Sequence, residues 1–479
     1  MHAHGRQCEP PVSNARPVVA VSCAVLVLLI AGCKTLDPPS SDEVRTQSGA
    51  FGNMTLNEAW KAGAAAGPVA DNWLATFDDA QLNSLVTEAL ANNADLRVTA
   101  VRVEQAAQYV ELANSAMRPA VTILGTGGVN MGGGDALKAI SLGASWEPDL
   151  WGRIRYGRNA YRESYASAQS DFEYARQSLA ATMAKSWFTA SETSLQLEIA
   201  EEMVKSAEAL VSLAQKRRQI GPGSDQDIAL ASATLGSFQD AEKQVRLADG
   251  QARRALELLL GRYPGAEIQA RRDLPALPGP IPAGLPLEML ERRPDLIAAE
   301  RRVAAAFNRV GEAKAARLPS ITLNANIAAL SSDILQLKDD FSNPTGGVGA
   351  RLVAPIYQGG ALNTQVEIRT LEQKEAAADY ARLALRALGD VENTLAAANS
   401  LEDREQILKR IVSDNQHALD LVQSSQRIGR SDLRAVNQQQ LGVDSARLAL
   451  LRVQSEQLSQ RVNLHLVLGG SFEQAPQKE

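Results

Sequence analysis

The residue best placed to do chemistry in this chain is Cys33, because two small residues, Ala31 and Gly32, stand directly before it and an apolar run over 18–30 precedes them. That order suits transfer of a diacylglyceryl group to a thiol. A lipoprotein signal peptidase has a narrow pocket for the alanine and glycine, cleavage falls between Gly32 and Cys33, and the cysteine then carries a diacylglycerol thioether and an N-acyl chain. The run is short for a transmembrane helix, so residues 1–32 read as a lipoprotein signal peptide. The competing reading is a plain exported protein cut elsewhere, with Cys33 an ordinary small residue. Cys8 and Cys23 would leave with the signal, so the mature chain would have no disulfide and would stand on packing alone.

Elsewhere the reactive side chains are scattered. His417 and His465 stand alone in helical sequence, and the carboxylate pairs Glu201-Glu202 and Asp339-Asp340 read as solvated surface. No nucleophile or metal constellation results, so the chain does not read as an enzyme, and no cofactor is expected beyond the acyl chains on Cys33. A net charge of −6, with basic residues spread along helices, leaves no dense positive face for a phosphate backbone and sets nucleic acid aside. Past the signal there is no long apolar run, so any crossing of a membrane falls to strands.

The elements that would position these residues come in duplicate. Asn93-Ala94-Asp95-Leu96, a helical run and Ala116-Met117-Arg118-Pro119 return as Arg293-Pro294-Asp295-Leu296, another helical run and Ala316-Arg317-Leu318-Pro319. After each proline come two alternating stretches, a very long helix, a glycine break, a second long helix and a closing Leu-Gly. The alternating stretches fall at about 120–130, 139–148, 320–329 and 347–356. Ile321, Leu323, Ala325 and Ile327 share one face; Val121, Ile123 and Val129 do so in the first half against Thr122, Thr126 and Asn130, with Leu124 out of pattern. In the return stretches Ile140, Leu142, Ala144 and Trp146, and Val348, Ala350, Leu352 and Ile356, oppose Ser141, Ser145, Glu147 and Arg351.

Such alternation fits a strand between a core and water, and on pattern alone it equally fits one between lipid and a lumen. Length favours the second, since each stretch approaches the roughly ten residues that a tilted strand needs to cross a bilayer. Four strands cannot close a barrel, for which about eight is the lower limit, so the chain must assemble, as a dimer of eight strands or a trimer of twelve.

From 153 to 220 only Gly157 interrupts a run free of glycine and proline, and a four-three stripe passes through Tyr161, Tyr165, Ala168, Phe172, Ala175, Leu179, Thr182 and Ser186. Its counterpart runs through Gln373, Ala377, Tyr380, Ala384, Ala387, Val391, Thr394, Ala398 and Leu401, and both read as coiled-coil seams. At about 1.5 Å rise per residue such helices reach on the order of 100 Å. They start where strands end, at Pro148-Asp149-Leu150-Trp151-Gly152 and Pro355-Ile356-Tyr357-Gln358-Gly359-Gly360, and turn back at Gly221-Pro222-Gly223 and Gly429-Arg430. Ser224 or Asp225, and Ser431, suit the N-caps of the returning helices.

The domains expected are a signal at 1–32, a lipidated extended tether and equatorial segment at 33–70, a first repeat at 71–270, an extended proline-rich linker at 271–287, a second repeat at 288–470 and a loose tail at 471–479. The fold class is an α+β membrane protein with a duplicated half, four membrane strands and long coiled-coil helices per chain.

Several motifs carry a resemblance that covers nearly the whole mature chain. Trp73, Phe77 and Asp78 precede Leu82, Leu85, Ala89 and Asn92 through Leu96; Arg292-Arg293-Pro294-Asp295-Leu296 leads into Ala299-Glu300, Ala305 and Gly311 through Pro319. The junctions Trp146-Glu147 with Asp149-Leu150-Trp151-Gly152-Arg153, and Pro355-Ile356 with Gln358-Gly359-Gly360, complete the set. The chain resembles the outer-membrane factor family, the TolC-like exit ducts, and within it the lipidated, NodT-like branch that serves resistance-nodulation-division efflux pumps. Lys34 after Cys33 likewise resembles the outer-membrane address of bacterial lipoproteins.

The resemblance implies a homotrimer whose twelve strands form one β-barrel in the outer membrane, continued by a periplasmic α-helical barrel. It implies passive exit of small molecules or drugs from an inner-membrane pump, with a periplasmic adaptor docking at Gly221, Pro222, Gly223, Gly429 and Arg430. Family members often carry leucine and aspartate at the closed aperture, where this chain has Arg434 and Gln438; Asp227 and Asp432 are then expected to pair with Arg434 of a neighbouring copy and hold the tip shut. A ring of arginines there would repel cations. Arg434 also reads as a solvent-facing helix residue. Two other functions compete: an exit duct for type I polypeptide secretion, which sequence does not separate, and a coiled-coil periplasmic adaptor, which would need a lipoyl-like β-domain that the pattern lacks.

Overall fold

The computed structural model describes residues 35–47, 59–63, 67–127, 138–284, 286–331 and 345–473; the expected signal peptide, Gly32 and Cys33, and strand positions 128–130 lie outside them. In chain order the elements are α1 (Ser41–Gln47), a 3-10 turn (Trp73–Phe77), α2 (Ala80–Asn92), α3 (Ala94–Ser115), β1 (Ala120–Thr126) and β2 (Lys138–Trp146), then α4 (Arg153–Ile220) and α5 (Asp225–Leu259). The second half continues with α6 (Pro286–Arg292), α7 (Pro294–Ala315), β3 (Ser320–Ser331), β4 (Thr345–Val353), α8 (Ala361–Arg427) and α9 (Leu433–Val467). Two compact units form. One gathers Gln105–Ala166 and Arg301–Ala377 with the described part of Met1–Gln47; the other gathers Ser167–Glu300 and Ala378–Glu479 with the described part of Ser48–Glu104.

In the first unit the strands make one antiparallel sheet in the order β1-β2-β3-β4, so the hairpins of the two halves pair through β2 and β3. Ile123 sits opposite Leu142 and Leu142 opposite Ile327; Val121, Ala144, Ala325 and Val348 line up in the same way. Because a one-residue slip would turn a whole strand over, this register places all four apolar sets on one side of the sheet. Thr122, Ser141, Ser145, Thr322, Asn324, Asn326 and Arg351 fall on the other, with Leu124 among them. β1 and β4 are exposed along their whole lengths.

β2 ends at Trp146 and β4 at Val353, short of Glu147 and Ile356, because Pro148 and Pro355 cannot donate to a ladder and restrict the residue before them. Ile356 therefore lies beyond the strand, 91% exposed. β3 is longer than its alternation suggested, reaching Ser331.

In the second unit Trp73, Phe77, Leu82, Met183, Trp187, Phe188, Leu256, Leu458 and Val462 form a core. Asp79 organises it. One carboxylate oxygen caps α2 by accepting Gln81 N and Leu82 N at 3.0 Å, and the other takes the indole N–H of Trp187 at 2.9 Å. A second cluster joins Trp60, Met289, Leu290, Leu296, Ala384, Ala387, Val391, Leu464 and Leu468.

The duplication survives at the level of contacts. α5 and α9 each close on a leucine followed by a left-handed glycine, Leu260-Gly261 (φ 70) and Leu468-Gly469 (φ 72). A Cβ on Gly261 would meet Asn92 O at 2.9 Å, so chain packing as well as φ requires glycine there. Asn93 Nδ2 reaches Leu259 O at 3.0 Å, and in the second half Arg293 Nη1 reaches Val467 O at 3.3 Å while its fork holds Asp295.

Several expectations are corrected. The stripe Gln373 to Leu401 does bury Tyr380, Ala384, Ala387, Val391, Thr394 and Leu401, but in α4 Thr182 is exposed, and the buried face is instead Gln177, Ala180, Ala181, Ala184, Trp187, Phe188 and Ser191. The apolar-and-small pattern there offers two helix faces, and the tryptophan decides which one packs. The linker stops before Pro286, which opens α6: at the first helical position a missing N–H leaves no bond unmade. The segment after Cys33 is not extended throughout, since Ser40 and Glu43 cap α1 reciprocally, Ser40 N to Glu43 Oε2 at 2.8 Å and Glu43 N to Ser40 Oγ at 3.4 Å. Residues 471–473 are held rather than loose: Phe472 is buried, and Asn72 N donates to Glu473 O at 3.2 Å.

His465 is 3% exposed, stacked on Trp73 at 5.7 Å between ring centroids, with no hydrogen-bond partner on either nitrogen. Burial, helped by nearby Arg461, pushes its pKa down to about 3. The folded state thus resists protonation, and its stability, whole above the unfolded value of about 6.5, declines as pH falls toward the folded one. His465→Phe keeps a ring against Trp73 and should flatten this acid limb, read as thermal midpoint against pH in detergent. An acid limb identical to that of the unaltered protein would assign it to other groups.

Candidate functional site: strand ends, helix tips and buried polar row

Where β2 passes to α4, Asp149 caps the helix by accepting Ile154 N at 3.1 Å and Arg155 N at 2.8 Å. Trp146 Nε1 donates to Met117 O at 3.0 Å and Trp151 Nε1 to Pro319 O at 2.6 Å, so each indole is tied to the segment leading into a strand. Arg153 pairs with Glu147 at 3.0 Å. A cavity of about 330 Å³ opens here, lined by Glu147, Trp151, Pro319, Val353, Pro355 and Gln358 among others.

At the first tip Gly221 takes φ 107, and Gly223 N closes α4 by donating to Arg217 O at 3.0 Å. A Cβ on Gly223 would lie 2.5 Å from Arg218 N. Pro222 sits exposed between them. Ser224 and Asp227 form a capping box on α5, and Arg218 bonds Asp225 at 2.9 Å. At the second tip Gly429 takes φ 75 and Arg430 N donates to Ser425 O at 2.9 Å. Asp432, not Ser431, is the N-cap of α9: its backbone is extended and its carboxylate accepts Ala435 N at 2.9 Å.

The four expected aperture residues are brought partly together. Arg434 Nε lies 4.0 Å from Asp227 Oδ1 of the same chain, so this pair forms without a neighbouring copy. Asp432 is taken up by its cap, and Gln438 is exposed on α9. The Ser224 hydroxyl and backbone N–H hold the Asp227 carboxyl below its usual range, with Arg434 a smaller contributor; the Arg218 hydrogen bond does the same for Asp225.

Beside Gln438, Asn437 is buried and donates to Thr234 Oγ1 at 3.1 Å, joining the two hairpins. It opens a row spaced by sevens along α9: Asn437, Asp444, Leu451, Leu458 and His465 are all buried. Stepping back in heptads from the two leucines would have found it in the sequence, but the polar run Asn437-Gln438-Gln439-Gln440 hides the stripe. Asp444 accepts from Gln440 Nε2 at 3.1 Å and its other oxygen has no partner, so burial pushes its pKa up. Among the described residues no cluster of side chains could hold a metal ion.

With this geometry in view, the sequence profile of the outer membrane efflux protein family matches residues 85–262 and 285–470. The chain belongs to that family. An outer-membrane efflux protein of Pseudomonas putida, TtgC, described as a probable efflux pump outer membrane protein, is 28% identical over 94% of this chain and 95% of its own length. The pyoverdine export outer membrane protein OpmQ of Pseudomonas aeruginosa is 29% identical, covering 93% of this chain and 96% of OpmQ. Among solved structures, the outer-membrane channel OprN aligns with a TM-score of 0.79 at 25% identity, over 87% of this chain and 97% of that one. The Campylobacter jejuni CmeC outer membrane channel shares the fold at 0.80 with 21% identity, over 92% and 95%. Members of the family are channels, and this chain is the outer-membrane component of an efflux system.

Within this outer-membrane efflux protein the buried Asp444 works against stability as a charge. Its raised folded pKa means that stability falls as pH rises from the unfolded value of about 3.9 through the folded one. Asp444→Asn should therefore stabilise the protein at neutral pH by about 1 kcal/mol, with the gain vanishing in acid. A thermal-shift series across pH reads it; destabilisation at neutral pH would mean that the ionised form has a partner in the assembled state.

Proposed function

We propose that three copies close their sheets into one twelve-stranded β-barrel in the outer membrane, continued by a periplasmic helical barrel, to make a passive exit duct for small molecules. The observation that carries this is the sheet itself. Its register gathers Val121, Ile123, Leu142, Ile327, Val348 and Leu352 on one exposed face, while β1 and β4 each have one edge unpaired within the chain. In lipid such edges must find partners, and β4 of one copy meeting β1 of the next supplies them. Energy then comes from an inner-membrane pump, joined by a periplasmic adaptor that docks on Gly221, Pro222, Gly223, Gly429 and Arg430.

Lipidation of Cys33, with cleavage between Gly32 and Cys33, adds a second hold on the membrane, as in the NodT-like branch. The order along the chain is signal (1–32), lipidated tether and equatorial segment (33–70), first repeat from about 71, proline-rich linker, second repeat through 470 and tail. Relatives are described as exporting substances as different as toluene, cations and pyoverdine, so the cargo of this chain is small molecules or drugs of a kind those names do not select.

Arg434, with Asp227 beside it and Asp432 and Gln438 on the same end of α9, narrows the tip in this reading. Arg434→Ala should raise single-channel conductance in planar bilayers by about two-fold or more, and unchanged conductance would remove Arg434 from the aperture. Absence of any channel from the purified, unaltered protein would sink the duct itself. For the anchor, cells grown with labelled palmitate should label the unaltered protein and not Cys33→Ala; equal labelling of both would place the lipid elsewhere.

A further inference from the structure

The register of the sheet isolates one charge. Among the described strand positions on the polar face, which run through Thr122, Ser141, Ser145, Thr322, Asn324 and Asn326, only Arg351 carries a formal charge, and no carboxylate stands on that face to neutralise it. Its directly opposed partner is Thr322. The other residues of β4 on the same face are Thr345, Gly347, Gly349 and Val353, so Arg351 is the one long side chain there, and it is exposed. Its immediate neighbour Leu352 is paired with Ile321 on the apolar face.

A charge facing lipid is strongly unfavourable near the bilayer centre, whereas one facing a lumen tunes what passes. We infer that Arg351 is a specificity-determining residue of the duct, forming a ring of guanidinium groups in the barrel lumen that favours anionic solutes, such as carboxylates and sulfonates, over cations. This rests on the proposed barrel. Twelve strands about 4.8 Å apart and tilted by about 40° enclose a lumen of about 12 Å radius. An arginine spans about half of that, which brings its charge within a Debye length, about 8 Å at physiological ionic strength, of the axis. The ring is therefore felt across the lumen, and more strongly in dilute salt.

The test is the chloride-to-potassium permeability ratio of purified protein in planar bilayers under a potassium chloride gradient at low salt. The unaltered channel should prefer chloride by about three- to ten-fold, Arg351→Gln should lower the ratio markedly, and Arg351→Glu should lower it below that of Arg351→Gln. Arg434 contributes equally to all three, so the differences belong to position 351. Where the glutamate variant fails to insert, Arg351→Cys treated with a cationic or an anionic thiol reagent separates the same charge states in an inserted channel, the unaltered protein serving as the silent control. Channels whose ratio ignores the charge at position 351 would overturn the inference while leaving the duct intact. Absence of channels from the unaltered protein would overturn the duct and this inference with it.

Discussion

Backbone polar groups at the edge of a sheet cannot be left unpaired in hydrocarbon, and most of what is distinctive here follows from that. One chain supplies four strands with two outer edges, on β1 and β4, and a face of aliphatic side chains that no layer of its own unit covers along β1 and β4. The edges are intolerable in lipid, and the aliphatic face is unfavourable in water. Closure with other copies satisfies the edges and turns the aliphatic face outward at once. The alignment of the apolar rows across β1 to β4 matters more than the composition of any strand, because one slipped register would put Thr322, Asn324, Asn326 and Arg351 into the lipid.

The helical part depends on the same duplication but solves each half with different residues. Leu260-Gly261 and Leu468-Gly469 end equivalent helices with the same left-handed turn, while the side chain that reaches back to the helix end is Asn93 in one half and Arg293 in the other. Two of the buried carboxylates follow a similar economy of contacts. Asp79 serves a helix cap and an indole together, and Glu257 accepts the backbone N–H groups of Ala266, Glu267 and Ile268, which holds its carboxyl below the usual range against the opposing effect of burial. Each such group is secured by several donors, which is what makes a buried charge tolerable.

At the tips the balance is different. Arg434 and Asp227 are solvated and sit at the limit of ion-pair distance, and exposed pairs of that kind are screened by water and contribute little. Asn437 to Thr234 is a single neutral hydrogen bond, and Asp444 leaves one oxygen without a partner. The hairpin ends are joined by these polar contacts and by a small aliphatic cluster of Leu210, Leu419, Val436 and Val443, while the core around Trp187 is joined by packed aromatic rings.

Much of this was legible in the sequence. The strand alternation, the glycine breaks at Gly221 and Gly429, and the repeated motifs around Asn93 and Arg293 are local patterns, and a period of two or a helix-breaking residue can be read from neighbours alone. Several things could not be read that way. Which face of α4 is buried was settled by Trp187 finding Asp79 across more than a hundred residues, not by the four-three stripe through Thr182. That Asp227 meets Arg434 within one chain, that Asn437 lies inside while Gln438 lies outside, and that Arg351 stands opposite Thr322 all depend on how helices and strands from the two halves are set against each other. Elements are legible from neighbouring residues because periodicity and caps act over a few positions. Their partners emerge only on folding, because long-range packing and strand register are sums over the whole chain.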